Sequence, residues 1–290
     1  MSFPNLLIVG APKAGTTGLA QILSQHPEIF LGEKKEPRYH IRNYLKTINP
    51  IDPEYDHLIN TSSLNLTEYK KLYVNSKSKY NCDASVHYLL NYHEVIRSIQ
   101  ASRIKPHIII ILREPISRVQ SNLNYLKHHF KDSILELLKK EEFFKSNNFN
   151  SFWFFKEQSL YYDAVNAYSK EFDNLYIMNY EDFKTRPECE ILRVLKFLDL
   201  STNFSYKNRL VNKSIKPRLP LFNIILKKIV PTKVILSIRK IEFLKSIFYQ
   251  NQNFVLDNHT RENLIQFFSQ DVQKLRELLG KPNLWKEIYD

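Results

Sequence analysis

Three stretches of the chain are short, apolar and free of polar alternation. They are residues 5–9, ending at Gly10; residues 108–112 (Ile108-Ile109-Ile110-Ile111-Leu112), ending at Arg113; and residues 174–178 (Asn174-Leu175-Tyr176-Ile177-Met178). A run of this kind suits a parallel strand buried on both faces. Each is followed by a segment with helical composition: 16–25, 115–129 with Pro115 in its first turn, and 187–197. Repeated strand, loop and helix predicts an α/β fold in which a parallel β-sheet is flanked by helices. A last helix is expected over 259–279, with Gly280 as its stop.

The intervening segments are less periodic. Residues 38–80, rich in Asn, Tyr, Lys and Ser, read as loops and short helices. Residues 131–158 carry Phe143-Phe144 and Phe152-Trp153-Phe154-Phe155, which read as core packing before a lid over a substrate. Between 213 and 245 there are nine Lys/Arg and one acidic residue, Glu242, interleaved with Leu and Ile. That pattern reads as a solvated amphipathic helical pair before a membrane-surface anchor. Residues 1–290 are expected to form a single domain, with a core over about 5–218 and a helical C-terminal part over about 219–290.

Composition narrows the partners. Forty-two Lys and Arg against 30 Asp and Glu give a net charge of +12, which favours anionic ligands. No nucleic-acid-binding motif accompanies the charge, so a nucleic-acid partner is not expected. Cys82 and Cys189 lack metal-ligand spacing and disulfide-scaffold density, and read as free thiols. No apolar run approaches the roughly 18 residues of a membrane span. The first strand starts too near Met1 for a signal peptide, so a cytoplasmic protein is expected, with peripheral membrane contact left open. Oligomeric state is not legible.

The chemistry is concentrated in one loop. Of the five glycines in the chain, Gly10, Gly15 and Gly18 fall within nine residues, between a strand and a helix. Glycine lets a backbone turn with positive φ and approach a ligand closely, and the following helix N-terminus offers amides to an anion. Lys13 and the hydroxyls of Thr16 and Thr17 add donors. The spacing from Gly10 to Gly15 matches the start of the nucleotide triphosphatase loop, making the fold P-loop-like. However, Thr16-Thr17 replace its Lys-Ser/Thr, the lysine has moved to Lys13, and Arg113 stands where a magnesium-binding Asp belongs. These departures point to transfer of a group less charged than a phosphoryl, without a metal.

The segment Ile8-Val9-Gly10-Ala11-Pro12-Lys13-Ala14-Gly15-Thr16-Thr17 resembles the 5'-phosphosulfate loop of sulfotransferases that use 3'-phosphoadenosine 5'-phosphosulfate (PAPS), especially the branch with heparan sulfate and bacterial enzymes. The resemblance implies that Pro12, Lys13, Ala14, Gly15, Thr16 and Thr17 bind PAPS and its product PAP, with Lys13 also catalytic. Arg113 followed by Ser121 resembles the family's 3'-phosphate motif. Physically, Arg113 ends a parallel strand where ligands gather, and Ser121 shares a helix face with Ser117 and Arg118. The run Lys34-Lys35-Glu36-Pro37-Arg38-Tyr39 resembles the glycan enzymes' segment and implies Glu36 as general base, kept ionised by Lys34, Lys35 and Arg38.

His87 is the alternative base, by resemblance to small-molecule sulfotransferases. Ser159-Leu160-Tyr161 and Asn179-Tyr180-Glu181-Asp182-Phe183 resemble architectural landmarks. Asn212 to Arg218 resembles a loop over the nucleotide, with Arg218 a further candidate for the 3'-phosphate. The expected function is therefore sulfuryl transfer from PAPS to a hydroxyl or amine of an acceptor. That acceptor is a saccharide, with a small-molecule metabolite or a non-catalytic nucleotide-binding module as alternatives.

Overall fold

Leucine and β-branched residues without polar alternation need neighbours on both edges and cover on both faces. β1 (Leu6–Gly10) and β4 (His107–Leu112) occupy that position, nearly every residue buried. The structure is a computed structural model that describes residues 3–126, 129, 134–207, 216–217, 249–250 and 255–290. It divides into two compact units, one of residues 1–209 with 256–290 and one of residues 210–255.

In the first unit the chain runs β1, α1 (Thr16–Leu23), β2 (Ile29–Leu31), α2 (Arg42–Leu45), α3 (Tyr55–Thr61), α4 (Leu66–Lys71), β3 (Tyr80–Asp83), α5 (Tyr92–Ser102) and β4. It continues through α6 (Pro115–Leu126), α7 (Ile134–Lys139), α8 (Glu141–Ser146), α9 (Tyr162–Glu171), β5 (Leu175–Asn179), α10 (Tyr180–Thr185) and α11 (Pro187–Phe197). After the second unit it resumes with α12 (Asn258–Leu279) and α13 (Lys286–Tyr289). The strands form one parallel sheet in the order β2-β3-β1-β4-β5. From β1 the chain goes to the far edge, returns through β3 and crosses to β4. This reversal opens a crevice at the carboxyl ends of the central strands, where open α/β sheets bind ligands.

Two strands are additional to the sequence reading. β2 is only three residues long, and β3 (Tyr-Asn-Cys-Asp) is polar yet buried. Its backbone and Asp83 find partners outside the strand, while Asn81 Oδ1 is buried without one among the described residues. The Asn81 amide donates to Asn5 Oδ1 (2.8 Å), and Asp83 accepts from Ser85 (2.6 Å), Tyr69 (2.7 Å) and Tyr88 (2.8 Å). Residues 38–80 otherwise hold short helices and loops, as expected. Phe144, Trp153 and Phe155 are fully buried, so the aromatic segment is mainly core, whereas Phe143 is exposed. Asp52 pins it by accepting from the Asn150 amide (2.6 Å), Asn150 Nδ2 (2.7 Å) and Trp153 Nε1 (3.0 Å).

Arg118, at i−3 from Ser121 on α6, carries a burial that its spacing did not announce. It is fully buried, donating to Ser159 Oγ, Gln158 Oε1 and the Phe155 carbonyl. The C-terminal helices brace the end of β4. Asp271 on α12 accepts the Tyr161 and Tyr162 amides at the start of α9 (2.8 and 3.1 Å), and the Tyr289 hydroxyl donates to Glu114 (2.9 Å). α12 ends at Gly280 in the left-handed conformation, the stop expected from the sequence.

The second unit contributes, among the described residues, an antiparallel pair of Lys216–Pro217 with Tyr249–Gln250. The helical pair expected over 213–245 lies otherwise outside the described residues, as does Arg218. No helix among the described residues is long and apolar enough to cross a membrane. Cys82 and Cys189 are free, the first buried and the second exposed.

Candidate active site

The loop after β1 is held by its own backbone and by Arg113. The Ala11 amide donates to the Ile111 carbonyl (2.7 Å) and the Ala14 amide to Ala11 (3.2 Å). Lys13 takes a left-handed φ of 66° and its carbonyl accepts from Arg113 Nη1 (2.7 Å). Gly15 then caps α1 with φ 84° and no side-chain hydrogen bond, so the amides of Thr16 and Thr17 open α1 without a side-chain acceptor. Pro12, Ala14 and Thr16 are buried, and Lys13, Gly15 and Thr17 half-buried.

Tyr180 lies beside Gly15 and carries the Arg113 guanidinium over its ring at 4.8 Å. A Cβ on Gly15 would sit 2.9 Å from that ring and in a backbone conformation L-residues avoid. Gly15→Ala is therefore expected to cost about 1–3 kcal/mol in stability and to displace the stacked Arg113. Denaturant unfolding together with nucleotide titration checks this, and a variant of unchanged stability and affinity would contradict it.

Lys13 Nζ lies 4.3 Å over the ring of Tyr125. Burial first, then the charges of Arg113, Arg118 and Lys35, bring its pKa from 10.5 down to about 8, with Glu36 opposing. The loop is thus a cationic pocket in which one lysine is held near its titration point. Ser117, Ser121 and Tyr125 are spaced i, i+4 along α6, one stripe of the helix. Because Tyr125 meets Lys13, that stripe points Ser121 toward the loop side. Ser121 is half-buried, and no hydrogen bond joins it to Arg113.

The two residues put forward separately as bases occur in one cluster. Glu36, itself at φ 58°, places Oε1 3.1 Å from Lys35 Nζ and Oε2 2.5 Å from Arg38 Nη2 and 3.9 Å from His87 Nδ1. Arg38 bridges them, donating from Nε to His87 Nδ1 (3.2 Å) and from Nη1 to the Glu36 carbonyl and Thr61 Oγ1 (both 3.0 Å). Its amide donates to Ser85 Oγ (3.1 Å), linking the cluster to Asp83 at the end of β3.

Burial acts to raise the Glu36 pKa, but Arg38, Lys35 and His87 together outweigh it and hold it at about 2. Burial, reinforced by Arg38, lowers His87 to about 3. At neutral pH the pair is a carboxylate beside a neutral imidazole. Since Arg38 Nε is always a donor, His87 Nδ1 is the acceptor and its proton resides on Nε2. Phe152 packs edge-on against His87 (4.6 Å) and lies 5.8 Å from Tyr125, so two aromatic rings span the interval between Lys13 and His87. Tyr125 and the bridging role of Arg38 were not singled out from the sequence, and Phe152 was noted only within its aromatic run. The i, i+4 spacing from Ser121 was the one available signal for Tyr125.

The family model of the sulfotransferase domain matches residues 3–219. The chain is similar to the crystal structure of a sulfotransferase from Alicyclobacillus acidocaldarius, with 22% identity, coverage of 97% of both chains and a TM-score of 0.76. It is also similar to the sulfotransferase domain from the curacin biosynthetic pathway, with 15% identity over 73% of this chain and 78% of that one and a TM-score of 0.49. Mouse sulfotransferase SULT7A1, complexed with PAP, is similar at 17% identity over 70% and 62%, with a TM-score of 0.45. No curated protein sequence matches significantly. The matched span takes in the glycine loop, the Glu36 cluster and the strand end at Arg113, and by that match the chain belongs to the sulfotransferase family.

Proposed function

We propose that this enzyme transfers the sulfuryl group of PAPS to a hydroxyl, or an amine, of a saccharide acceptor, with Glu36 as general base. The observation that carries the reading is a carboxylate paired with Lys35 and Arg38, in a cluster that reaches Lys13 of the anion loop through His87, Phe152 and Tyr125. In the proposed step the acceptor oxygen forms a bond to sulfur as the bond from sulfur to the phosphate oxygen breaks. The acceptor proton passes to Glu36, and the charge developing on the PAP leaving group is met by Lys13 and by the amides of Gly15, Thr16 and Thr17.

Pro12 and Ala14 wall the 5' side. Arg113 and Ser121 take the 3'-phosphate; Arg113 has a buried Nε with no hydrogen-bond partner among the described residues. His87 is disfavoured as the base because its acceptor nitrogen is occupied by Arg38 and its other nitrogen carries the proton. It is assigned instead to holding Arg38. The saccharide assignment rests on the Lys34-Lys35-Glu36 segment, whose two lysines are exposed beside the base, and on the basic composition.

Supplying PAPS with a panel of saccharides and small alcohols, and following the mass gain of one SO₃ group, tests the proposal. A sulfated saccharide is expected, formed equally well in EDTA. Sulfation confined to small alcohols would overturn the acceptor assignment, and transfer of phosphorus in place of sulfur would overturn the donor.

A further inference from the structure

Glu36 is poorly prepared to accept a proton in the free enzyme, because each of its oxygens is already held by a cation. Lys35 Nζ lies 3.1 Å from Oε1, and Arg38 Nη2 lies 2.5 Å from Oε2. The two cations differ in their freedom. The Arg38 side chain is 5% exposed and tied to His87, Thr61 and the Glu36 carbonyl, so it has nowhere to go. The Lys35 side chain is 44% exposed, and among the described residues its ion pair is with Glu36 alone. Lys35 and Lys13 flank one cluster: Lys35 meets Glu36, Arg38 joins Glu36 to His87, and Phe152 and Tyr125 lead on from His87 to the Lys13 ammonium. An anion seated in the Lys13 loop would attract both.

We infer that Lys35 is a shared cation: it pairs with Glu36 in the free enzyme and passes to the phosphosulfate of the donor once the loop is filled, releasing Oε1 to take the acceptor proton. This rests on the donor and base assignments proposed above. It makes Lys35 a positioning residue that couples filling of the anion loop to base activation, so that the carboxylate gains proton affinity when the nucleotide is bound. The coupling is reciprocal, because two partners compete for one ammonium. Whatever weakens the hold of Glu36 on Lys35 must strengthen the hold of the donor.

The reciprocity gives a test that needs no turnover. PAP affinity is measured calorimetrically for the wild type, Glu36→Gln, Lys35→Met and the double variant, with thermal unfolding run on each. Glu36→Gln is expected to tighten PAP by about fivefold or more and Lys35→Met to weaken it. In the Lys35→Met background, Glu36→Gln is expected to have little effect. Lys35→Gln repeats the cycle should the methionine variant fold poorly. Equal tightening by Glu36→Gln in both backgrounds would show a general field effect and overturn the shared cation, leaving the donor assignment intact. Absence of PAP binding by the folded wild type would overturn the donor assignment and this inference with it.

Discussion

Lys13→Met is expected to lower kcat by about a hundred- to a thousandfold while leaving a folded protein. The lysine sits at the mouth of α1, its ammonium over the ring of Tyr125, with three other cations close enough to oppose its charge. A group placed that way is costly to keep charged until an anion arrives. Its stabilisation is therefore greatest where negative charge grows, on the departing phosphate. Stability should not fall, because the fold already disfavours this ammonium. Unfolded, the lysine keeps its proton up to its ordinary 10.5, whereas in the folded state it releases it near 8. The unfolded state thus binds more protons between those values, and wild-type stability should rise with pH across that window and flatten in the variant.

The same titration sets a limb in the rate profile. In the wild type, kcat/KM for the donor reports the free enzyme and should decline above pH 8, while kcat holds to higher pH because the bound anion restores the charged form. Steady-state kinetics across pH 6–10 (about four units around the titration) checks both. A Lys13→Met enzyme with an unchanged kcat, or with the same alkaline limb, would remove Lys13 from the mechanism.

Legibility in the sequence followed locality. The glycine cluster and the unbroken apolar runs of β1 and β4 are local signals, and they identified the loop, the parallel sheet and the place of Arg113. β3 was missed because Asn81 and Asp83 do not read as strand interior. Their partners, the Asn5 side chain and the hydroxyls of Tyr69 and Tyr88, come from elsewhere in the chain. The burial of Arg118 was missed for a related reason. Spacing puts it beside Ser117 and Ser121, and the carbonyl of Phe155 with the side chains of Gln158 and Ser159, all distant in the chain, makes a buried guanidinium tolerable there.

The site shows the same limit in sharper form. Glu36 and His87 could be named by resemblance to two branches of one family, but as competitors. Their relation depends on Arg38, whose backbone is fixed by Ser85 and whose side chain reaches both. A long-range hydrogen bond of that kind has no sequence period. It also alters the chemistry, because it decides which imidazole nitrogen carries the proton.

Glu36→Gln is expected to lower kcat by about a hundred- to ten-thousandfold, with a donor KM no worse than that of the wild type. The amide matches the carboxylate in shape and still offers Arg38 an acceptor oxygen, so the local backbone and the Arg38 to His87 bond should survive. What is lost is the capacity to take a proton from the acceptor. His87→Asn, by contrast, is expected to cost far less per folded molecule, because His87 supports Arg38 and its Nδ1 has no lone pair free for substrate.

An independent signature lies in stability at low pH. Glu36 is held at about 2 against an ordinary 4.5, so its ion pairs contribute fully above 4.5 and are lost as pH falls toward 2. The unfolding free energy of the wild type should decline through that window more steeply than that of Glu36→Gln, which has no charge to lose. Comparing the two by denaturant titration at several pH values separates the electrostatic role from the catalytic one. If Glu36→Gln kept kcat within a few-fold while His87→Asn abolished it, the base would be His87, and the Arg38 hydrogen bond to its Nδ1 would have to break during turnover.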